Sequence, residues 1–186
     1  MSKVAKVYFD ANILIELAKL AVKKHRPDRE NDLWFFQQML KASYRDELEL
    51  FTSSLTIAEC IHVDSQYDKP TQEFYSNILL SGTMVTLVQT SVFVCEEARN
   101  LRWNHDIILK PIDSIHVASA LDAKCSEFLS WDSDMTDPKQ ATKILALRGL
   151  GLAVIPPHKT SSLPMDYRQS QLDAPTSRPH PPTTIN

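Results

Sequence analysis

"VYFDANILIEL", residues 7–17, joins two structural periods at one acid. Val7, Tyr8 and Phe9 form a short apolar run of strand formers, and Ile13, Leu14 and Leu17 recur at the spacing that gives a helix one apolar face. Asp10 stands between them, at the carboxyl end of the predicted strand. A carboxylate there has two uses. It can cap the following helix by accepting hydrogen bonds from orphan backbone N–H groups at the positive end of the helix dipole. It can equally face a crevice beyond the sheet and hold a cation. This stretch leaves both readings open, and the arrival of other acids at the same place is what separates them.

Working outward, the pattern alternates. A first helix over about residues 11–24 gives way to the charged "KKHRPDREND", which reads as a loop, and "DLWFFQQMLKASY" resumes a helical period with Asn31 or Asp32 as its cap. The triplet Trp34, Phe35 and Phe36 reads as core or interface. "LELFTSS" (48–54) predicts a strand, and Ser53 or Ser54 can cap a helix through "LTIAECIHVDSQ". Pro70 sits near the start of a helix ended by Gly82, "MVTLVQ" (84–89) is the next strand, and Ser91 caps "VFVCEEARNLRWNH". A helix "PIDSIHVASALDAK", a short strand in "CSEFLSW" (125–131), a helix opened by Pro138 and closed by Gly149, and a last strand in "GLAVIPP" complete the series. Strands separated by helices pair in parallel through crossovers. The expected fold is α/β, a three-layer α/β/α sandwich with a mainly parallel central sheet over residues 1–157.

From residue 158 the composition turns to proline, serine and threonine without a sustained apolar period, which predicts a flexible tail over 158–186 that is dispensable for folding. The 43% hydrophobic and 23% charged shares are ordinary for a globular chain. There is no long apolar run and no leader pattern, so a soluble, cytoplasmic protein with no membrane partner is expected. Cys60, Cys95 and Cys125 are widely spaced and without a CxxC pair, which suits buried free thiols. A net charge of −3 offers phosphate no general attraction, and three glycines leave no phosphate-cradling loop.

Sites in open parallel sheets form beyond the carboxyl ends of the strands. Asp132 and Asp134 follow the strand in "EFLSW" as Asp10 follows "VYF", Asp113 lies in the turn "KPIDSIH", and Glu59 lies in the first turns after "LELFTSS". Taken singly, Asp113 suits a helix cap and Asp132 or Asp134 a turn. Together they crowd like charges that a divalent cation or protonation must offset. Oxygen ligands select a hard cation, Mg²⁺ or Mn²⁺, which can activate water and stabilise charge on a phosphodiester. His116 reads as a packed or hydrogen-bonded histidine.

Four pieces in this order, "VYFDANILIEL", "SSLTIAECI", "KPIDSIHVASAL" and "EFLSWDSDM", resemble the motifs of PIN-domain nucleases, and most nearly those of VapC-like toxins of VapBC toxin–antitoxin systems. The resemblance implies a Mg²⁺/Mn²⁺-dependent endoribonuclease with Asp10, Glu59, Asp113 and Asp132 as its catalytic acids. Asp10, Asp113 and Asp132 would ligate the metal, with Asn12, Ser130 and Asp134 supporting them. An RNA substrate, a cognate antitoxin and a homodimer are the partners it suggests, and Arg99, Arg102 and Lys110 are candidates to flank the substrate's phosphates. Two departures are the bulky insertion around "DLWFFQQMLKASY" and the proline-rich end. Two alternatives remain beside it. One is an inactive scaffold that binds RNA or protein. The other is a PIN nuclease acting on DNA or in general RNA processing.

Overall fold

The structure, a computed structural model, describes residues 4–21, 23–60 and 69–169. Its five strands are β1 (Lys6–Phe9), β2 (Glu49–Ser53), β3 (Thr86–Val88), β4 (Glu127–Leu129) and β5 (Ala153–Ile155). They lie in the order β3-β2-β1-β4-β5, every pair parallel. The chain leaves β1 to build one flank through β2 and β3, then crosses back to build the other through β4 and β5. β1 and β4 therefore sit on either side of the point where strand order reverses, the position at which parallel sheets open a crevice. Register places Phe9 beside Leu129, and the Asp10 N–H donates to the Leu129 carbonyl at 3.0 Å.

Side-chain alternation along β1 divides the interior. Val7 and Phe9 face one layer with α1 (Ala11–Ala21), α2 (Glu30–Tyr44) and α4 (Lys69–Leu79), where Phe9 meets Phe36 edge-on at 4.9 Å between ring centroids. Tyr8 faces the other layer, stacks on Phe128 at 5.0 Å, and joins residues of α5 (Val92–His105), α6 (Pro111–Asp122) and α8 (Ala141–Gly149). The three-layer α/β/α sandwich is thus as expected. Phe36 is fully buried and Trp34 packs edge-on to Phe35. The Ser91 hydroxyl caps α5 by accepting the Val94 N–H, as its position predicted.

Some boundaries differ. α1 ends at Ala21, because the chain turns at Lys23 through a left-handed φ of 57° while the Lys24 N–H closes on the Lys19 carbonyl. The helix expected through "LTIAECIHVDSQ" is seen as α3 (Leu55–Glu59), and the rest of that prediction lies at 61–68, outside the described residues. A short helix α7 (Ser133–Thr136) follows β4, with Asp132 as its cap. Cys60 and Cys125 are buried and free, their thiols pushed up to about 12 chiefly by burial, but Cys95 is exposed on α5 where a buried thiol was expected. No helix among the described residues is long and apolar enough to cross a membrane.

The described part of the predicted tail packs against the domain through part of its side chains. After β5 the chain turns back across the layer that holds α2, and Thr160, Leu163 and Tyr167 are buried. The buried Glu127 carboxylate accepts from the Thr160 hydroxyl at 2.5 Å and from the Ser161 N–H and hydroxyl at 2.8 and 2.6 Å. Arg168 donates to the carbonyls of Leu163 and Thr160, and α9 (Met165–Gln169) sets Tyr167 beside Arg45 and Glu47. Proline-rich composition hid two apolar anchors four residues apart and a polar latch that only the fold supplies. The chain therefore continues past 158 as a strap packed through Arg168. Residues 170–186 lie outside the described residues.

Deleting residues 160–186 exposes the sites of Leu163 and Tyr167 and strips Glu127 of its donors. The expected loss is about 4 kcal/mol or more. Thermal unfolding should show Tm lower by about 10 °C. Thiol titration of the native protein should modify Cys95 rapidly and Cys60 and Cys125 only on denaturation.

Candidate active site

The crevice between the ends of β1 and β4 gathers polar groups from four segments. Asp10 leaves β1, and its Oδ2 accepts from the Asn12 amide at 2.7 Å and the Ser130 hydroxyl at 2.9 Å. Ser130 leaves β4, and its oxygen also accepts the Asp132 N–H at 3.0 Å. One hydroxyl thus ties the two strand ends together and sets Asp10 and Asp132 on a common frame. Asp132 Oδ1 accepts the Asp134 N–H at 2.8 Å, which opens α7 and turns Asp134 back beside it. Capping and ligation are not exclusive for Asp132, since its second oxygen takes no part in this bond.

α6 brings Asp113 and His116, three residues apart and so on one helix face. His116 is buried between Tyr8, whose hydroxyl is 2.7 Å from Nδ1, and Glu59, whose Oε2 is 2.7 Å from Nε2. A carboxylate accepts only, so Nε2 carries a proton and donates to Glu59. Burial works against a charged ring, but the Glu59 hydrogen bond and the charges of Asp10, Glu59 and Asp113 outweigh it and hold the His116 pKa above its ordinary value. The bond explains how Glu59 is tolerated in an apolar helix: α3 delivers it to a fixed donor.

Among the described residues, Asp113, Asp132 and Asp134 offer carboxylate oxygens that all lie within 4.8 Å of one another. Asp113 Oδ2 is buried and has no hydrogen-bond partner among the described residues. The grouping joins Asp113 and Asp132 of the expected ligand set to Asp134, which was expected to support them, and Asp10 is not part of it. The first turn of α7 brings Asp134 next to Asp132, while Asp10 lies deeper and spends an oxygen on Asn12 and Ser130. Lys110 approaches the same acids, its Nζ 2.8 Å from Asp134 Oδ2. That contact raises the Lys110 pKa and lowers that of Asp134. The other two basic candidates lie on α5. Arg99 pairs with Glu96 at 3.8 Å and stacks over Trp103, and Arg102 is exposed.

An oxygen-only trio with one buried, unpartnered oxygen fits a hard divalent cation. A family model, the PIN domain, matches residues 7–140, a span that holds every acid described above. The chain belongs to the PIN-domain family. The likeness drawn from the four sequence motifs is borne out over the same part of the chain. In fold this PIN domain is similar to a chain in the crystal structure of VapBC2 from Rickettsia felis bound to a DNA fragment from their promoter. The two are 14% identical with a TM-score of 0.50, over 81% of this chain and 97% of that one. At that identity the likeness speaks for the fold alone. No curated protein matches the sequence.

The acids of this PIN domain strain it. Burial raises the Asp10 pKa, with Glu59 adding to the rise and His116 and Ser130 opposing it. Burial, then the charge of Asp132, raises that of Asp113 from 3.8, with Asp134 adding and Lys110 and His116 opposing. An acid whose folded pKa is raised keeps its proton in the folded state where the unfolded chain has released it. Folding therefore weakens as pH climbs from the ordinary carboxylate value through the folded one. Asp113→Asn removes that ionisation. In chelator the mutant should melt above wild type at about pH 7 and lose that advantage as pH falls below the ordinary carboxylate range, where Asp113 is protonated folded and unfolded alike. Melting curves across pH test this, and a mutant that melts below wild type at the higher pH contradicts it.

Proposed function

We propose that the chain is a divalent-metal-dependent endoribonuclease and the toxin of a toxin–antitoxin pair. The observation that carries the reading is the trio of Asp113, Asp132 and Asp134 with its buried, unpartnered oxygen. A scaffold that only binds gains nothing from holding these charges together, since like charges raise one another's pKa and cost stability. Similarity in fold to a chain of VapBC2 supports the toxin reading and suggests an antitoxin as partner.

Asp113, Asp132 and Asp134 would hold Mg²⁺ or Mn²⁺. Such an ion, when bound, lowers the pKa of a water and stabilises charge on a phosphodiester. The protein's own groups complete the site. Ser130 and Asn12 fix Asp10 deep in the crevice, where its carboxylate would orient the reacting water. His116 holds Glu59 by one oxygen and leaves the other to accept a proton. Lys110, whose ion pair with Asp134 is exposed, would supply a cation for a phosphate of the RNA.

Asp10→Asn separates a catalytic acid from a cap, because the amide keeps size and capping ability and loses the charge. Purified wild type, Asp10→Asn, Asp113→Asn and Asp132→Asn are to be assayed on RNA and on DNA with Mg²⁺, Mn²⁺ or chelator, with folding followed by circular dichroism. Each mutant should keep its fold and lose activity by on the order of 10²-fold or more. Wild-type cleavage that survives the chelator, or a folded Asp10→Asn of full activity, overturns the mechanism. Cleavage of DNA in preference to RNA would reassign the substrate.

A further inference from the structure

Trp131 lies between two residues of the acidic crevice, Ser130 and Asp132, but its side chain takes the other side of the strand exit. It packs against the layer that holds α1 and α2. There its indole N–H donates to Asp32 Oδ2 at 2.6 Å. Asp32, in the first turn of α2, is only 5% exposed, and such a carboxylate must be hydrogen-bonded to be tolerated. Its Oδ1 accepts the His158 backbone N–H at 2.9 Å and lies 2.5 Å from His158 Nδ1. Arg29 closes the group, its Nη1 4.0 Å from Asp32 Oδ2 and its guanidinium 4.6 Å from the centre of the Trp131 ring. Three segments remote in sequence, the start of α2, the exit of β4 and the C-terminal strap, therefore meet on one buried carboxylate.

We propose that Asp32 and Trp131 are positioning residues for the acidic site. The proposal rests on the metal-site reading above. The exit of β4 is three residues long between Leu129 and α7, and its side chains alternate. Ser130 bonds Asp10 and the Asp132 N–H, Trp131 bonds Asp32, and Asp132 caps α7. Holding the middle side chain on one side fixes the backbone that aims its neighbours at the other. Rotation of the Trp131 peptide would break the Ser130 bonds and carry Asp132 away from Asp113 and Asp134. Asp32 is thereby an indirect partner of the cation site, and the insertion carrying α2 and the strap after β5 act on it through one hydrogen bond. Outer partners of this kind set ligand orientation, and their loss lowers metal affinity by on the order of 10- to 100-fold.

The test is Mn²⁺ binding by electron paramagnetic resonance on the full chain, with RNA cleavage measured as a function of Mn²⁺. Trp131→Phe keeps the ring between Arg29 and the core and deletes only the N–H. Asp32→Asn keeps both rings and turns one acceptor oxygen into a donor facing an N–H, so it carries the test if Trp131→Phe does not fold. Trp34→Phe controls for loss of a tryptophan. Wild type and Trp34→Phe should bind alike, and Trp131→Phe or Asp32→Asn should bind about 10-fold more weakly. Its cleavage should recover at saturating Mn²⁺, which a purely structural defect would not allow. Equal Mn²⁺ affinity in a folded variant, with wild-type binding intact, overturns the positioning role alone. A wild type that binds no Mn²⁺ overturns the metal-site reading, and the proposal with it.

Discussion

The site depends on the pairing of β1 with β4. These strands are far apart in sequence, yet the Asp10 N–H reaches the Leu129 carbonyl and the Ser130 hydroxyl reaches Asp10 Oδ2. The first bond continues the ladder one residue past β1, and the second converts that register into a side-chain contact. A slip of one residue would turn every side chain of β4 to the opposite layer, sending Glu127 and Leu129 away from α2 and breaking the Ser130 bond at once. Core packing and site geometry are thus enforced by the same register. The reversal of strand order at this pair opens a crevice above it.

Around that crevice, charge is balanced from within. Glu59 and Asp10 are answered by His116, whose pKa their charges hold above its ordinary value against the effect of burial, and Asp134 by Lys110. The two counter-charges differ in kind. His116 is buried and held between Tyr8 and Glu59, so it belongs to the frame. Lys110 stands on the surface at the end of a flexible stem and can leave Asp134 at small cost, because exposed ion pairs are worth little. The buried partner is fixed in place, and the exchangeable charge sits where a cation would enter.

Most of this frame was legible in the sequence because it is local. A strand-forming run, an acid and a helical period are neighbours in the chain, so the positions of Asp10, Asp113 and Asp132 at the sheet rim, and the order of strands and helices, follow from short windows. His116 was read as a packed histidine, and so it is, but its partners Tyr8 and Glu59 come from elements more than 50 residues away. A spacing of three residues from Asp113 was the available signal. The approach of Asp134 to Asp113 and Asp132 had no local signal, because a four-residue helix is shorter than any period can reveal. Asp32 looked like a cap for α2, and Trp131 looked like part of the strand. Their contact across 99 residues has no trace in either window. The strap failed for a related reason, since composition averages over Leu163 and Tyr167 and says nothing of a Glu127 waiting beneath them.

Glu127 and Asp32, two of the buried carboxylates outside the crevice, show what the crevice lacks. Glu127 has three donors and Asp32 has three, in each case from a neutral hydroxyl, a ring or the backbone, so each is held by directed hydrogen bonds to groups that cannot leave. This is how a fold stabilises a buried acid for structural purposes. Asp113 is treated in the opposite way. It is set beside Asp132 and Asp134, one of its oxygens is buried without a donor among the described residues, and Lys110 pairs with Asp134. The same chain that satisfies Glu127 and Asp32 with care leaves Asp113 unsatisfied, at a cost in stability of the size that an unpaired buried polar group carries, about 1–3 kcal/mol. The difference is intelligible if Asp113 is completed by a ligand that the chain does not itself contain.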